Sequence, residues 1–303
     1  MKSVDLIIFM NREVKNYRLA GQFSAERICR ATMKRVITFI GRDTMSFKEL
    51  TTGWLLSFEA YLKTELSDNT SSTYLRMLQA VYNKAVYERK ISFTAHLFKK
   101  VFKGRAPSRS RALSKSDFQA LAQASEASLG RLARTRDFFL LAFYLQGIPS
   151  IDLMQLKPGN LRGNRLTYRR QKTGKQVTVV VPPEGMALIE RYKNPDGKSP
   201  YLFPFLASAD ADEHQQYQSA LRCFNNNLHS LGELLGLSIP LTSYCARHSW
   251  ASFANDCNID KKLISEGMGH SSILVTEIYF KAHEVEKIGW MNQQVIAYAF
   301  TGS

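Results

Sequence analysis

Long hydrophobic runs are missing from this chain, and so are paired cysteines and any excess of acid. The apolar stretch in "MKSVDLIIFMNREV" is short, carries Asp5 and lacks a small-residue cleavage site, so it reads as the first packed element of a cytoplasmic protein rather than a leader or a membrane span. No amphipathic basic helix or lipidation signal takes its place. Cys29, Cys223, Cys245 and Cys257 lie far apart with no C-x-x-C pair, which argues against a zinc site and a disulfide framework. Neither a metal nor a cofactor is expected. Acid is scarce: 26 Asp and Glu stand against 41 Lys and Arg, a formal balance of +15 spread over both halves of the chain. Such a balance favours a polyanionic partner, with nucleic acid ahead of a membrane surface.

What is present is enough apolar residue, 45% of 303, for a sizeable core and about two domains. The break falls at "KGRAPSRSRALSKSD", where Gly, Pro, Ser and Arg displace the apolar periodicity. Residues 1–103 are expected to form a basic helical bundle, 104–112 a basic linker, and 113–303 a second domain. In the bundle, Ser24 precedes "AERICRATMKRVITFI", Ser46 to Glu49 reads as a capping box, and "NTSSTYLRMLQAVYNKAVYERK" carries apolar residues near helical spacing. The linker charge is expected to lie along a phosphate backbone through Arg105, Arg109 and Arg111, with Lys84 as a contact from the bundle. Beyond the linker, Ser114 to Asp117 caps a helix, and "RTRDFFLLAFYLQG" reads as a buried helix ending at Gly147. Then the period changes: "NRLTYRRQ", a "KTGK" turn and "QVTVVVPP" read as a β-hairpin, before helices return from about Gln215.

The chemistry gathers in the last third. Thr242 or Ser243 is placed to cap a helix, which brings Tyr244, Arg247 and His248 onto one face near its N-terminus. A guanidinium there suits a phosphate. His270 follows two glycines in "GMGHSS", at a turn between helices, and Tyr279 lies on the next element beyond Thr276. A lone tyrosine on an apolar helix is usually core. The joint order of Arg, then His at a glycine turn, then Tyr, with a Lys on an upstream hairpin turn, points elsewhere.

In these residues the chain resembles the tyrosine recombinase (phage integrase) family, and the resemblance runs over essentially its whole length. Tyr244-Cys-Ala-Arg247-His248 stands where the family has His-x-x-Arg-His, Met268-Gly269-His270 where it has Leu-Gly-His, and Tyr279 follows His270 by nine residues as the nucleophile does. The hairpin Lys falls on Lys172. The resemblance implies a mainly α fold with a small β-sheet: an N-terminal SAM-like core-binding bundle and a mixed α/β catalytic domain, clamped round double-stranded DNA. It implies site-specific cutting and rejoining of DNA through a 3′-phosphotyrosyl bond, without metal or cofactor, by dimers on an inverted-repeat core site that assemble into a synaptic tetramer. Tyr279 would attack, Arg247 and His270 would stabilise the phosphate, Lys172 would protonate the leaving 5′-oxygen, and His248 would support the site or accept the Tyr279 proton.

Two departures stand out. Tyr244 replaces the first His of the motif, leaving a hydroxyl that donates a hydrogen bond without charge. The first catalytic Arg of the family is absent: in "GIPSID" its place holds Pro149 and the acidic place Asp152. A branch of mobile-element integrases and invertases lacks this Arg, and some of its members carry an Arg just before the Gly, where this chain has Gln146. On a strand, residues two apart point the same way, so Arg170 is expected beside Lys172 as the stand-in. The alternatives are a catalytically impaired relative that occupies its DNA site without strand exchange, and a relaxing enzyme of the type IB topoisomerase kind. The final "WMNQQVIAYAFTGS" is apolar enough to dock on its own protomer or on a neighbour.

Overall fold

Polar caps and apolar spacing divide the first hundred residues into four helices. The computed structural model describes residues 4–104, 111–195, 199–207, 212–270 and Thr276. Asp5 caps α1 (Leu6–Leu19) by accepting from the Ile8 N–H, Thr51 caps α3 (Thr52–Glu65), and Ser67 caps α4 (Asp68–Tyr87). α2 (Phe23–Ile40) begins one residue before Ser24, which therefore sits in its first turn rather than capping it. The Ser46–Glu49 capping box exists, yet it closes a 3₁₀ turn, Phe47–Glu49, and the long helix starts afterwards. Chain contacts divide the protein into two compact units, Met1–Ser108 and Arg109–Ser303.

The first unit is held by aliphatic residues such as Leu55, Leu75 and Leu78 and by an aromatic stack. Phe58 is fully buried, stacked on Trp54 at 5.0 Å between ring centres and tilted against Phe39 at 5.4 Å. Lys84 is not a free cation of the outer face: it pairs with Glu13, whose side chain is fully buried and also accepts from Arg12 at 2.9 Å and Asn16 at 3.0 Å. A carboxylate taken out of water needs such partners, and that demand fixes Lys84.

In the second unit α5 (Lys115–Gln123) is capped by Ser114, as its sequence pattern predicts. After the short α6 (Glu126–Leu129) comes α7 (Ala133–Tyr144), whose Phe138, Phe139 and Leu141 are at most 1% exposed. This helix is apolar nearly all round because α9 (Pro183–Tyr192), α10 (Glu213–Leu234) and α11 (Ser243–Asp256) pack against it. Between α8 (Ser150–Met154) and α9 lies a three-stranded antiparallel sheet, β1 (Leu161–Arg162), β2 (Arg165–Arg169) and β3 (Gln176–Val180), in the order β1-β2-β3. Register pairs Leu166 with Val179 and Tyr168 with Val177 on the buried face, and Thr167 with Thr178 on the other. α12 (Lys261–Gly267) leads into Met268, Gly269 and His270.

The chain is therefore mainly helical with one small sheet. Among the described residues no helix is long and apolar enough to cross a membrane, and no group of three or more His, Cys, Asp or Glu is placed to hold a metal ion. Phe58→Ala is expected to lower the unfolding free energy of the first unit by about 3–5 kcal/mol in urea titrations, the cost of emptying a packed aromatic site. A loss below about 1 kcal/mol would mean that this stack is not the core of the unit.

Candidate active site

Arg247 enters the site from α11, the helix begun at Thr242, and is 2% exposed. Its Nη1 donates to the Gly147 carbonyl at 2.6 Å; its Nη2 donates to the Met268 carbonyl at 2.8 Å and to His270 Nε2 at 2.8 Å. The approach of Gly147 is possible only without a side chain. A Cβ there would lie 2.7 Å from Arg247 Cα, and the residue has φ +68°. Gln146 before it is also left-handed, at φ 59°, so the end of α7 swings directly beneath the arginine.

Arg170 reaches the same point from the hairpin. It is 6% exposed, and its Nη1 donates to the carbonyls of Met268 and Gly269, each at 3.1 Å. Gly269 is the second place where only glycine fits: φ is +64°, and a Cβ would stand 2.5 Å from Val177 Cγ2 and 2.7 Å from Arg170 Cδ. The Met268 carbonyl thus accepts from two guanidinium groups at once.

The acid that faces them is Asp152. Its Oδ1 accepts from the Gln171 N–H at 2.9 Å, while Oδ2 is 3.6 Å from Arg170 Nε, outside hydrogen-bond reach. Both Oδ2 and Nε are buried without a hydrogen-bond partner among the described residues. Burial raises the Asp152 pKa, against the Gln171 N–H and the charges of Arg170 and Arg247, which pull it down. Among the described residues of the site, two buried cations against one buried anion leave positive charge in the protein interior, which a bound anion would offset.

Both histidines are neutral. Burial first, then Arg247, Arg170, Lys172 and Lys175, push His270 down to about 3; burial, Arg111 and Arg247 push His248 down to about 4. His270 Nδ1 is 2.7 Å from Thr276 Oγ1, and Lys175 Nζ donates to the His270 carbonyl at 3.3 Å. His248 lies on the same helix face as Tyr244, edge to face at 5.0 Å between ring centres, with Tyr244 at the surface.

The expectation that Arg170 and Lys172 share one strand face is corrected. β2 ends at Arg169, the Arg170 N–H donates to the Lys175 carbonyl at 2.9 Å, and the Thr173 and Gly174 N–H groups bond back to the Arg170 carbonyl. Residues 171–174 are therefore a turn, in which strand alternation does not apply. Arg170 is buried and Lys172 is exposed, acting on His270 through charge alone. Tyr279, Arg105 and Arg109, with the C-terminal segment, lie outside the described residues; Arg111 is exposed. Sequence reasoning missed Lys175, Thr276 and the Asp152–Arg170 pair, although "KTGK" and "GIPSID" held two of them in view.

Residues 5–101 match the family model of the phage integrase SAM-like domain, and residues 111–286 that of the phage integrase family. The second match spans more than half of the protein, and the chain belongs to the phage integrase family, the tyrosine recombinases. Tyrosine recombinase XerA of Pyrococcus furiosus is 27% identical over 143 residues, 46% of this chain and 48% of the relative. Tyrosine recombinase XerD of Pseudomonas putida is 26% identical over 172 residues, 56% of each chain. The chain thus spans about half the length of the curated relatives it matches. In fold it is similar to a lambda integrase dimer bound to a COC′ core site, with TM-score 0.64 and 17% identity over 93% of this chain and all of that one. The Tn1549 transposon integrase in complex with a circular-intermediate DNA is similar too, with TM-score 0.64 and 14% identity over 96% of this chain and all of that one.

Gly269→Ala is expected to lower stability by about 2–4 kcal/mol in urea titrations, because left-handed strain and overlap with Arg170 act together. A change within about 0.5 kcal/mol would contradict the close approach. The histidines give a second expectation. An unfolded chain protonates His near 6.5, the folded site only near 3 to 4, so the unfolded state binds more protons in between and stability must fall as pH drops through that window. Proton NMR of the His270 ring should show no titration down to pH 5; a midpoint near 6.5 would refute the buried neutral assignment.

Proposed function

We propose that this protein is a site-specific DNA recombinase that cuts and rejoins duplex DNA through a 3′-phosphotyrosyl intermediate. The observation that carries the reading is the convergence of Arg170 and Arg247 on the Met268 carbonyl, two buried cations held beside one carboxylate and a neutral imidazole. A phosphodiester supplies the missing negative charge, and a guanidinium fork matches its oxygens. Among the described residues the three bonds of Arg247 occupy three of its five N–H groups.

In the first step the Tyr279 oxygen bonds to phosphorus and the bond from phosphorus to the 5′-oxygen breaks. The tyrosine proton passes to His248 or to solvent, and Lys172, exposed on its turn, supplies one to the leaving oxygen. A 5′-hydroxyl from a second strand reverses the step. The bond energy stays in the protein–DNA ester, so the reaction calls for no metal or cofactor. His248 is a weak base while Arg111 and Arg247 hold it down; a bound phosphate would cancel part of that charge and make it a better acceptor. Arg170 takes the part of the family's first arginine, whose own position holds Pro149. It does so from the hairpin, next to the Asp152 that keeps the acidic place.

The partner is duplex DNA at an inverted-repeat core site, bound by dimers that pair into a synaptic tetramer in the cytoplasm. A lambda integrase tetramer bound to a Holliday junction shares this fold, with TM-score 0.66 at 17% identity. Residues 1–103 serve as the core-binding half and 113–303 as the catalytic half, with Arg105, Arg109 and Arg111 of the linker on phosphates; those contacts position the protein without specifying sequence.

The test uses nicked duplexes from the DNA flanking the gene, which trap the cleaved strand, run on denaturing gels beside native binding gels. A covalent adduct is expected that vanishes in Tyr279→Phe, falls by about 10²–10³ in rate in Arg247→Ala and falls by about 10² in Arg170→Ala. Specific binding without adduct would mark a DNA-binding relative instead. An unchanged rate in Arg170→Ala would remove that residue from the catalytic set.

A further inference from the structure

His270 has both ring nitrogens engaged, and the partners dictate where its proton sits. A guanidinium N–H donates and never accepts, so the Nε2 that meets Arg247 Nη2 at 2.8 Å carries a lone pair. In a neutral imidazole the proton is then on Nδ1, donated to Thr276 Oγ1 at 2.7 Å. In this tautomer the ring has no N–H on the side that faces Arg247. It cannot give a hydrogen bond to a phosphate there until the proton changes places.

We propose that Thr276 is a positioning residue whose hydroxyl lets the His270 ring adopt both tautomers, Nδ1–H while Arg247 bonds the ring and Nε2–H once Arg247 turns to a scissile phosphate. The inference rests on the recombinase reading above. When a phosphate draws the Arg247 N–H away, Nε2 loses its donor, and only a protonated Nε2 stabilises the new anion. Nδ1 then becomes an acceptor inside the protein. Thr276 is fully buried and His270 6% exposed, so the group that accepted the Nδ1 proton must now donate to the same atom. A carbonyl or carboxylate at that place would hold the ring in one tautomer, as acceptors do. A hydroxyl does both. The exchange is neutral overall: during DNA binding solvent delivers one proton to Nε2 and removes one from Nδ1. Thr276 also precedes Tyr279 by three residues, so the same hydrogen bond ties the ring to the segment that bears the nucleophile.

The test has two readouts on the full chain. Nitrogen-15 NMR of the His270 imidazole, assigned with His270→Asn, is recorded with and without orthovanadate as a mimic of the phosphorane. Single-turnover cleavage of the nicked duplex is measured for the wild type, Thr276→Ser and Thr276→Val. Nδ1–H is expected for the protein alone and Nε2–H with orthovanadate, in the wild type and in Thr276→Ser, with cleavage by Thr276→Ser within about threefold of wild type. Thr276→Val leaves the buried Nδ1 without its hydroxyl partner in either tautomer, and should cleave about 10- to 100-fold more slowly at unchanged duplex affinity. The same wild-type tautomer in both conditions, or Thr276→Val cleaving at the wild-type rate, would overturn the proposal. Should Thr276→Val not fold, the wild-type spectra decide alone. A wild type that forms no adduct would sink the recombinase reading, whereas an adduct with an unmoved tautomer would sink only the part given to Thr276.

Discussion

The carbonyl of Met268 is where the second unit of this protein is tied together. It accepts from Arg247 on α11 and from Arg170 at the end of the hairpin, and it lies between α12 and His270. Three elements distant in sequence must meet at one oxygen, which explains why two left-handed glycines flank the point. Gly147 lets the end of α7 pass under Arg247, and Gly269 lets the chain pass over Arg170. Neither passage survives a side chain. The core of α7, α9, α10 and α11 behind them supplies the rigidity that holds two like charges within reach of one acceptor.

From that arrangement the electrostatics follow. Among the described residues of the site, two guanidinium groups and a single carboxylate, all nearly out of water, leave an excess of positive charge. Arg170 Nε and Asp152 Oδ2, buried without a hydrogen-bond partner among the described residues, are the local trace of that imbalance. Burial, with the same field added to it, keeps His270 and His248 neutral at pH 7. A phosphodiester between the arginines would offset the excess charge and relieve the part of the histidine shifts that the arginines cause, while burial keeps the His270 ring neutral.

Much of this was legible in the sequence. Ser114 and Thr242 announce their helices because a short polar side chain before an apolar-patterned run has a local job that distant packing rarely overrides. The hairpin shows in its alternation, and the order Arg247, His270, Tyr279 carries the family. What failed did so where tertiary contacts decide. Ser24 lost its capping place when α2 began a residue early, and Lys84, still partly exposed, pairs with Glu13, a buried carboxylate that its sequence neighbours do not announce. Arg170 was picked out for strand geometry that stops at Arg169; its proximity to Arg247 comes from the glycine turn at residue 269, a contact about a hundred residues away in sequence.

The most direct test is a crystal structure of the protein on a nicked core-site duplex with orthovanadate at the break. Nitrogen atoms of both Arg170 and Arg247 should lie about 2.7–3.2 Å from equatorial vanadate oxygens, with the Tyr279 oxygen in line with the leaving position. If instead Arg170 stayed on Asp152 and the Met268 and Gly269 carbonyls, with Arg247 the sole guanidinium on the vanadate, the two-arginine phosphate site would be wrong.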